Sequence, residues 1–200
     1  DVHSNSGVVS NINNLLLNHS FKTLDDWNGE SGNDTNTRIT SYAYESYAKF
    51  GKHVLRINSA NSECVDNGVY QDTITLPAGE YTFSAYMRVV SAYTGTDTPG
   101  TFIRVTKTDG TVLAESEHLS KYDSEFTRLI APFVIEETMS VRVHILTNDK
   151  GTAYADAVQL EKNAFANEYN LLVNGNFEHE TEGWVTSAEG VTASDETFFN

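Results

Sequence analysis

The sequence has few of the residues that cross-link or interrupt a chain. Its 200 residues include one cysteine, three prolines and two tryptophans. The lone cysteine, Cys64, excludes a disulfide framework and a cysteine-rich zinc site, and we expect it to be a small buried or half-buried thiol. No apolar run reaches the ~18 residues of a membrane-spanning helix, so we expect no membrane insertion.

Basic residues are also scarce. The chain carries 13 Lys and Arg residues against 28 Asp and Glu residues, for a formal net charge of −15. Nucleic acids and anionic membranes are bound by clustered Lys and Arg side chains, so we expect no nucleic acid partner. The acidic balance favours a soluble protein that is secreted or lies at the cell surface.

The signatures of common catalytic sites are absent from the sequence. It has no Gly-x-Ser-x-Gly motif, no His-Glu-x-x-His motif and no glycine-rich phosphate loop after a strand. The pair Glu136–Glu137 does not suit glycoside hydrolysis, because adjacent strand residues point to opposite sides whereas the reaction needs two carboxyl groups facing each other across a cleft. We therefore expect a non-catalytic protein.

A short motif occurs twice in the chain. It occupies Asn14–Phe21 and Asn170–Phe177, and each copy is followed by a tryptophan, Trp27 or Trp184. The separation of the copies far exceeds the ~20–50-residue period of solenoid repeats. The motif therefore marks the spacing of whole domains.

This spacing predicts one complete domain and the beginning of another. The predicted divisions are a linker over 1–13, a complete module over 14–163, and a linker with the truncated start of a second similar module over 164–200. The apolar residues of the second copy lack partner strands, and such edges pair readily with other chains. We expect the second copy to pack on the complete module or on a neighbouring molecule.

The residue pattern indicates an all-β fold. Short segments rich in Tyr, Phe, Thr and Val alternate with Asn and Gly turns, which is typical of strands and their connections. In Glu80–Val90 the alternation predicts an inward face that includes Phe83 and Met87 and an outward face that includes Tyr86 and Arg88. Eight or nine such strands predict an antiparallel jelly-roll β-sandwich.

Three local predictions accompany this fold. Thr108-Asp109-Gly110-Thr111 is typical of a hairpin turn. We expect a short strand at Leu15–Leu17. For the aromatic stretch between Tyr42 and Phe50, a short helix remains an open alternative.

Four segments together carry a resemblance to a known class of module. They are Asn14-Leu-Leu-x-Asn-x-x-Phe21 followed by Trp27; Gly51-x-x-x-Leu55-x-Ile57; Gln71 before Leu76-Pro-Ala-Gly79-x-Tyr81-x-Phe-Ser-Ala-Tyr86; and Tyr154-Ala-Asp156-Ala-Val-Gln-Leu160-Glu161. This order resembles carbohydrate-binding modules of families 4, 9 and 22, which have a galactose-binding-like β-sandwich fold. The chain from Gln159 to Leu172 further resembles tandem modules of large secreted Rhs or YD-repeat wall-associated proteins of Gram-positive bacteria.

The resemblance implies a non-catalytic module that binds a poly- or oligosaccharide on one sheet face, within a secreted or cell-wall-associated multidomain protein. Neighbouring modules of the same chain would be its other partners. The alternative is a structural spacer or protein-adhesion repeat without a sugar site, because function depends on the site and not on the fold.

The same resemblance raises the question of a structural calcium ion. Such modules often hold calcium with a Glu after the Phe of the opening motif and an Asp in the last strand. Here Lys22 occupies the first position and Asp156 the second, and an ammonium group cannot ligate calcium. Our hypothesis is that Lys22 pairs with Asp156 and no cofactor is held; the alternatives left open are a solvated Lys22 and calcium at Asp156.

Sugar sites combine aromatic rings, which stack on the apolar face of a sugar, with polar groups that bind its hydroxyls. We expect Trp27 to be buried beside the opening motif, and Tyr42, Tyr44 and Tyr47 to line the rim of the site. If the sheet order is the usual one, the ligand-binding set is Tyr86, Arg88, Arg104, His144, Arg142 and Gln71. The alternative is ordinary sheet packing for the tyrosines and surface ion pairs for the arginines.

Overall fold

The computed structural model of the chain describes residues 14–32, 37–43, 45–94 and 98–167. Its strands are β1 (Asn28–Ser31), β2 (Arg38–Ala43), β3 (His53–Ser59), β4 (Asn67–Leu76), β5 (Gly79–Thr94), β6 (Gly100–Lys107), β7 (Val112–Glu115), β8 (Thr127–Ile135), β9 (Met139–Asn148) and β10 (Lys150–Glu161). One turn of 3-10 helix spans Glu45–Tyr47. In the described ranges no helix is long and apolar enough to cross a membrane.

The strands form two antiparallel five-stranded sheets. Sheet A has the order β1-β4-β9-β6-β7, and sheet B has the order β2-β3-β10-β5-β8. The predicted all-β, antiparallel jelly-roll β-sandwich is thereby confirmed. The connection between β4 and β5 crosses from sheet A to sheet B.

The core lies between the inward faces of the two sheets. In β5 the predicted inward residues are buried, with Phe83 and Met87 both at 0% exposure. In β9 the alternating Val141, Val143 and Ile145 are equally buried on the opposing sheet. Because side chains alternate along a strand, the residues between these core positions, such as Tyr86 and Arg88 in β5, point to the outward face of their sheet.

The opening motif closes one end of the core. Phe21 and Trp27 are buried with ring centroids 5.2 Å apart, so the predicted burial of Trp27 is confirmed. The expected strand at Leu15–Leu17 is absent. Instead, the backbone N–H of Leu15 donates to the Leu160 carbonyl at 2.9 Å, and both backbone groups of Leu17 bond the Gln71 side-chain amide at 3.0 Å.

Two other local predictions have clear outcomes. The hairpin turn between β6 and β7 is confirmed: the Thr111 N–H donates to Asp109 Oδ1 at 2.9 Å, and Gly110 has φ 90°, a conformation that favours glycine. Cys64 is buried as expected. The second motif copy, Asn170–Phe177, and the linker over 1–13 lie outside the described residues, so the domain prediction stays a prediction there.

Candidate functional site

The outward face of sheet B is rich in aromatic and basic side chains. Strand pairing sets Tyr154 of β10 between Arg56 of β3 and Arg88 of β5, and sets Tyr86 of β5 opposite Arg128 of β8. We call this surface the aromatic face. Its rings are Tyr42, Tyr47, Phe50, Tyr86, Phe126 and Tyr154, and its arginines are Arg56, Arg88 and Arg128.

Three tyrosines form a cluster at its centre. The rings of Tyr42 and Tyr154 are stacked, with centroids 6.2 Å apart and planes within 8°. Tyr47 lies 5.2 Å from Tyr154 and 6.0 Å from Tyr42. Tyr154 is only 6% exposed, and burial raises its pKa. The half-buried Tyr42 and Tyr47 above it present the accessible ring surface.

Arg88 lies among three rings. Its guanidinium carbon is 5.5 Å from the Tyr47 ring centre, 5.4 Å from that of Phe126 and 5.6 Å from that of Tyr154. One guanidinium N–H donates to the Ser124 carbonyl at 3.2 Å. These distances are in the range of cation–π contacts, so the rings hold the guanidinium in place.

The other two arginines are held in a similar way. Arg56 lies 5.8 Å from the Tyr42 ring and Arg128 lies 5.4 Å from the Tyr86 ring. Arg128 also donates to Gln159 Oε1 at 2.6 Å and to Ser84 Oγ at 3.0 Å. The Nε atoms of Arg56, Arg88 and Arg128 are buried without a hydrogen-bond partner. Within the ranges that the structure describes, no carboxylate pairs with any of the three.

Asp156 anchors the loop that borders this face. Its Oδ2 accepts the backbone N–H groups of Lys49 at 2.8 Å and Phe50 at 3.0 Å, and its Oδ1 accepts that of Ala157 at 2.7 Å. The loop brings Phe50 to an edge-on contact with Tyr86 at 5.9 Å. It also places Lys49 Nζ 5.0 Å from the Tyr86 ring, so a fourth cation joins the face.

The hypothesis of an ion pair between Lys22 and Asp156 is wrong. Lys22 is exposed, and Asp156 is 1% exposed and bonded to backbone donors. The physical reason is that the Asp156 carboxylate lies on the same face as Tyr154 and is held there by the backbone N–H groups of Lys49 and Phe50. Among the described residues, there is no group of three or more His, Cys, Asp or Glu side chains that could hold a metal ion.

Asp156 is expected to make stability fall as pH rises. Burial raises its pKa in the folded chain to about 6, against an ordinary value of 3.8, so between these values the folded chain binds more protons than the unfolded chain. The stabilisation contributed by this group is then fully present below about pH 4 and is lost as the pH rises through about 6, a change on the order of 3 kcal/mol. An Asp156→Asn variant should lack this component in urea unfolding, and an NMR titration midpoint of the Asp156 carboxyl near its ordinary value would contradict the prediction.

The outward face of sheet A has a different character, because its arginines are paired with carboxylates. Arg104 bonds Asp66 at 2.7 Å and Glu115 at 2.6 Å, and Arg142 bonds Asp72 at 2.7 Å. For these two arginines the alternative role, a surface ion pair in place of a ligand contact, is the one that the structure shows. Their charges are compensated within the sheet.

His144 and Gln71 also have partners within the chain. His144 is buried in sheet A, with Nδ1 2.6 Å from Glu30 and Nε2 2.9 Å from Thr106 Oγ1. Gln71 is 5% exposed and bonds the backbone of Leu17. A bulge follows Gln71 in β4, and its side chain lies on the core side, level with Val143.

The expectation that the six predicted ligand residues share one surface is therefore wrong. Tyr86 and Arg88 lie on the aromatic face of sheet B, whereas Arg104, Arg142 and His144 lie on the outward face of sheet A and Gln71 faces inward. The physical reason is that β5 belongs to a different sheet from β4, β6 and β9. Of the predicted rim tyrosines, Tyr42 and Tyr47 lie on the aromatic face, and Tyr44 lies outside the described residues.

Several residues of the aromatic face were missed from the sequence. Arg56 could have been found, because an inward Leu55 and Ile57 leave it pointing outward. Tyr154 and Arg128 carry no such signal, since their neighbours depend on the order of strands in the sheet. A pocket of about 240 Å³ adjoins Arg88, and Tyr122 in its lining is 65% exposed, which extends the aromatic surface.

Comparison with known proteins gives structural neighbours only. No family model and no curated protein matches the chain. The CBM22-1 xylan-binding domain of Paenibacillus barcinonensis Xyn10C matches with a TM-score of 0.51 and 17% identity, over 77% of this chain and 97% of that domain. The chain therefore shares the β-sandwich fold of this domain. TmCBM61, solved in complex with beta-1,4-galactotriose, matches the chain with a TM-score of 0.51 and 16% identity, over 76% of this chain and 99% of its own.

A third structural neighbour of the chain is the C-terminal family 22 carbohydrate-binding module of Clostridium thermocellum Xyn10B. It has a TM-score of 0.52 and 12% identity, over 74% of this chain and 94% of its own. The predicted resemblance to carbohydrate-binding modules is thus confirmed at the level of the fold. At these identities the comparison carries the fold alone, so the ligand must be argued from the aromatic face.

Proposed function

We propose that this chain is a non-catalytic carbohydrate-binding module and that its aromatic face receives a poly- or oligosaccharide. The observation that carries the proposal is the cluster of the half-buried Tyr42 and Tyr47 with Tyr154, on the outward face of sheet B with Arg88 among the rings. Rings of this kind stack on the apolar face of a sugar, and guanidinium N–H groups donate to its hydroxyls.

The structural neighbours support this proposal. Their names describe a xylan-binding domain and a complex with beta-1,4-galactotriose. We further propose that the module belongs to a secreted or cell-wall-associated multidomain protein, in which neighbouring modules of the same chain are its partners. The support for this context is the second copy of the opening motif at Asn170–Phe177.

Affinity electrophoresis against a panel of soluble polysaccharides tests the proposal, followed by calorimetry on any that retards the chain. Tyr47→Ala should weaken the affinity about tenfold, because one stacked ring contributes roughly 1–1.5 kcal/mol. Circular dichroism and thermal unfolding of the variant confirm that it folds.

Tyr70→Ala is the matched control. Tyr70 is also a half-buried tyrosine beside an arginine, with Arg142 at 5.4 Å, but it lies on sheet A. If Tyr47→Ala and Tyr70→Ala lowered the affinity equally, the aromatic face would not be the binding site. If no polysaccharide retarded the chain, the alternative function of a structural spacer or protein-adhesion repeat would be favoured.

A further inference from the structure

The arginines of this acidic chain are distributed unevenly between the two sheets. On sheet A, Arg104 and Arg142 are held by carboxylates at 2.6–2.7 Å. On sheet B, Arg56, Arg88 and Arg128 contact aromatic rings, and no described carboxylate pairs with them. A chain with 28 acidic residues thus leaves three cations of one face without anionic partners among the described residues.

Three arginines without carboxylate partners within the described ranges are energetically unfavourable for the folded chain. A charged group that loses part of its hydration without gaining an anionic partner is destabilised, and each of these arginines has a buried Nε without a hydrogen-bond acceptor. Cation–π contacts offset part of the cost. An incoming anion that accepts from these guanidinium groups would offset the rest.

The arrangement of the three cations suits an extended ligand. Arg56 and Arg88 pair with Tyr154 from opposite sides, so their backbones are two strand spacings apart, roughly 10 Å. Arg128 lies on the next strand, beside Tyr86. Cations therefore alternate with aromatic rings across the sheet, and a saccharide lying on the rings would bring its substituents to the guanidinium groups.

Guanidinium is the side chain best matched to a carboxylate or a similar oxyanion, because its planar N–H donors bind two oxygens at once. Resting on the proposed function, we propose that the ligand of the aromatic face is an acidic saccharide, whose sugar rings carry carboxylate or sulfate groups. Arg56, Arg88 and Arg128 bind these groups while Tyr42 and Tyr47 stack on the sugars. The net charge of −15 opposes unspecific binding of polyanions, so such binding requires this face.

The test compares acidic polysaccharides with their own neutral forms. Calorimetry is run on polygalacturonate, alginate and glucuronoxylan, on the carboxyl-reduced product of each, and on a sulfated glycan such as chondroitin sulfate. We expect at least tenfold tighter binding of an acidic polymer than of its reduced form, and weaker binding as the salt concentration rises. A preference for the sulfated glycan over the uronates would identify sulfate as the recognised group.

Arg88→Gln should remove most of the preference for the acidic polymer, and Arg56→Gln serves as a second variant if the first does not fold. Arg142→Gln, which removes a paired arginine from sheet A, should leave the preference unchanged. Equal affinity for an acidic polymer and its reduced form would overturn the inference and leave the proposed function standing. Binding of no polymer in this or the neutral panel would overturn both.

Discussion

Phe83→Ala is expected to lower the free energy of unfolding by about 3–5 kcal/mol, the usual cost of truncating a fully buried aromatic side chain. Phe83 is at 0% exposure in the core between the sheets. Urea unfolding followed by fluorescence or circular dichroism measures the change. The effect is large because neighbouring side chains in a close-packed core relax only partly into the cavity.

Val134→Ala is the control for this measurement. Val134 lies on β8, the strand that pairs with β5, but its side chain is 62% exposed, so we expect a change within about 0.5 kcal/mol. Phe83 sits between Thr82 and Ser84 on β5, with Tyr86 and Arg88 on the opposite face. The folded fraction of Phe83→Ala should therefore keep its affinity for the saccharide, and a large loss of affinity at full folding would contradict the separation of core and site.

Gly68→Ala is expected to lower the free energy of unfolding by about 1–3 kcal/mol or more, the usual effect of overpacking. Gly68 lies in β4 opposite Leu146 of β9, and a Cβ added there would overlap the backbone carbonyl of Ile145. Backbone cannot rotate away as a side chain can, so β4 and β9 must separate locally. The measurement is the same urea unfolding experiment.

Gly29→Ala provides the matched comparison. Gly29 lies in β1, the neighbouring strand of sheet A, and an added Cβ would meet nothing within 4 Å. Alanine also has fewer backbone conformations than glycine in the unfolded chain. Folding therefore loses less entropy, which favours the folded state by several tenths of a kcal/mol. We expect no loss from Gly29→Ala, and equal losses at both positions would show that the close approach at Gly68 is not the cause.

Alternation was enough to predict the fold class and much of the core. In β5 and β9 apolar residues recur at every second position of the core-facing segment, so a single strand reveals its own inward face. The hairpin at Asp109–Gly110 and the burial of Trp27 were also predictable from local signals. The strand β2, Arg38–Ala43, was not, because its Ser, Thr and Tyr residues do not form a clear apolar alternation.

The candidate site could be predicted only in part, because it depends on relations between distant strands. Tyr86 and Arg88 were found from their own alternation. Their partner Tyr154 is placed by the antiparallel pairing of β10 with β5, which one sequence does not show. Asp156 is likewise bound by the backbone N–H groups of Lys49 and Phe50, which lie in a loop far from it in the chain, so the sequence did not reveal these partners.

The central claim is that a saccharide binds on the outward face of sheet B, and amide chemical-shift mapping by NMR tests it most directly. A saccharide that retards the chain is titrated into the ¹⁵N-labelled protein, with Tyr70 and Arg142 reporting on sheet A. We predict the largest shifts at Tyr42, Tyr47 and Arg88, with little change on sheet A. The largest shifts at Tyr70 and Arg142, with an unperturbed aromatic face, would contradict the account.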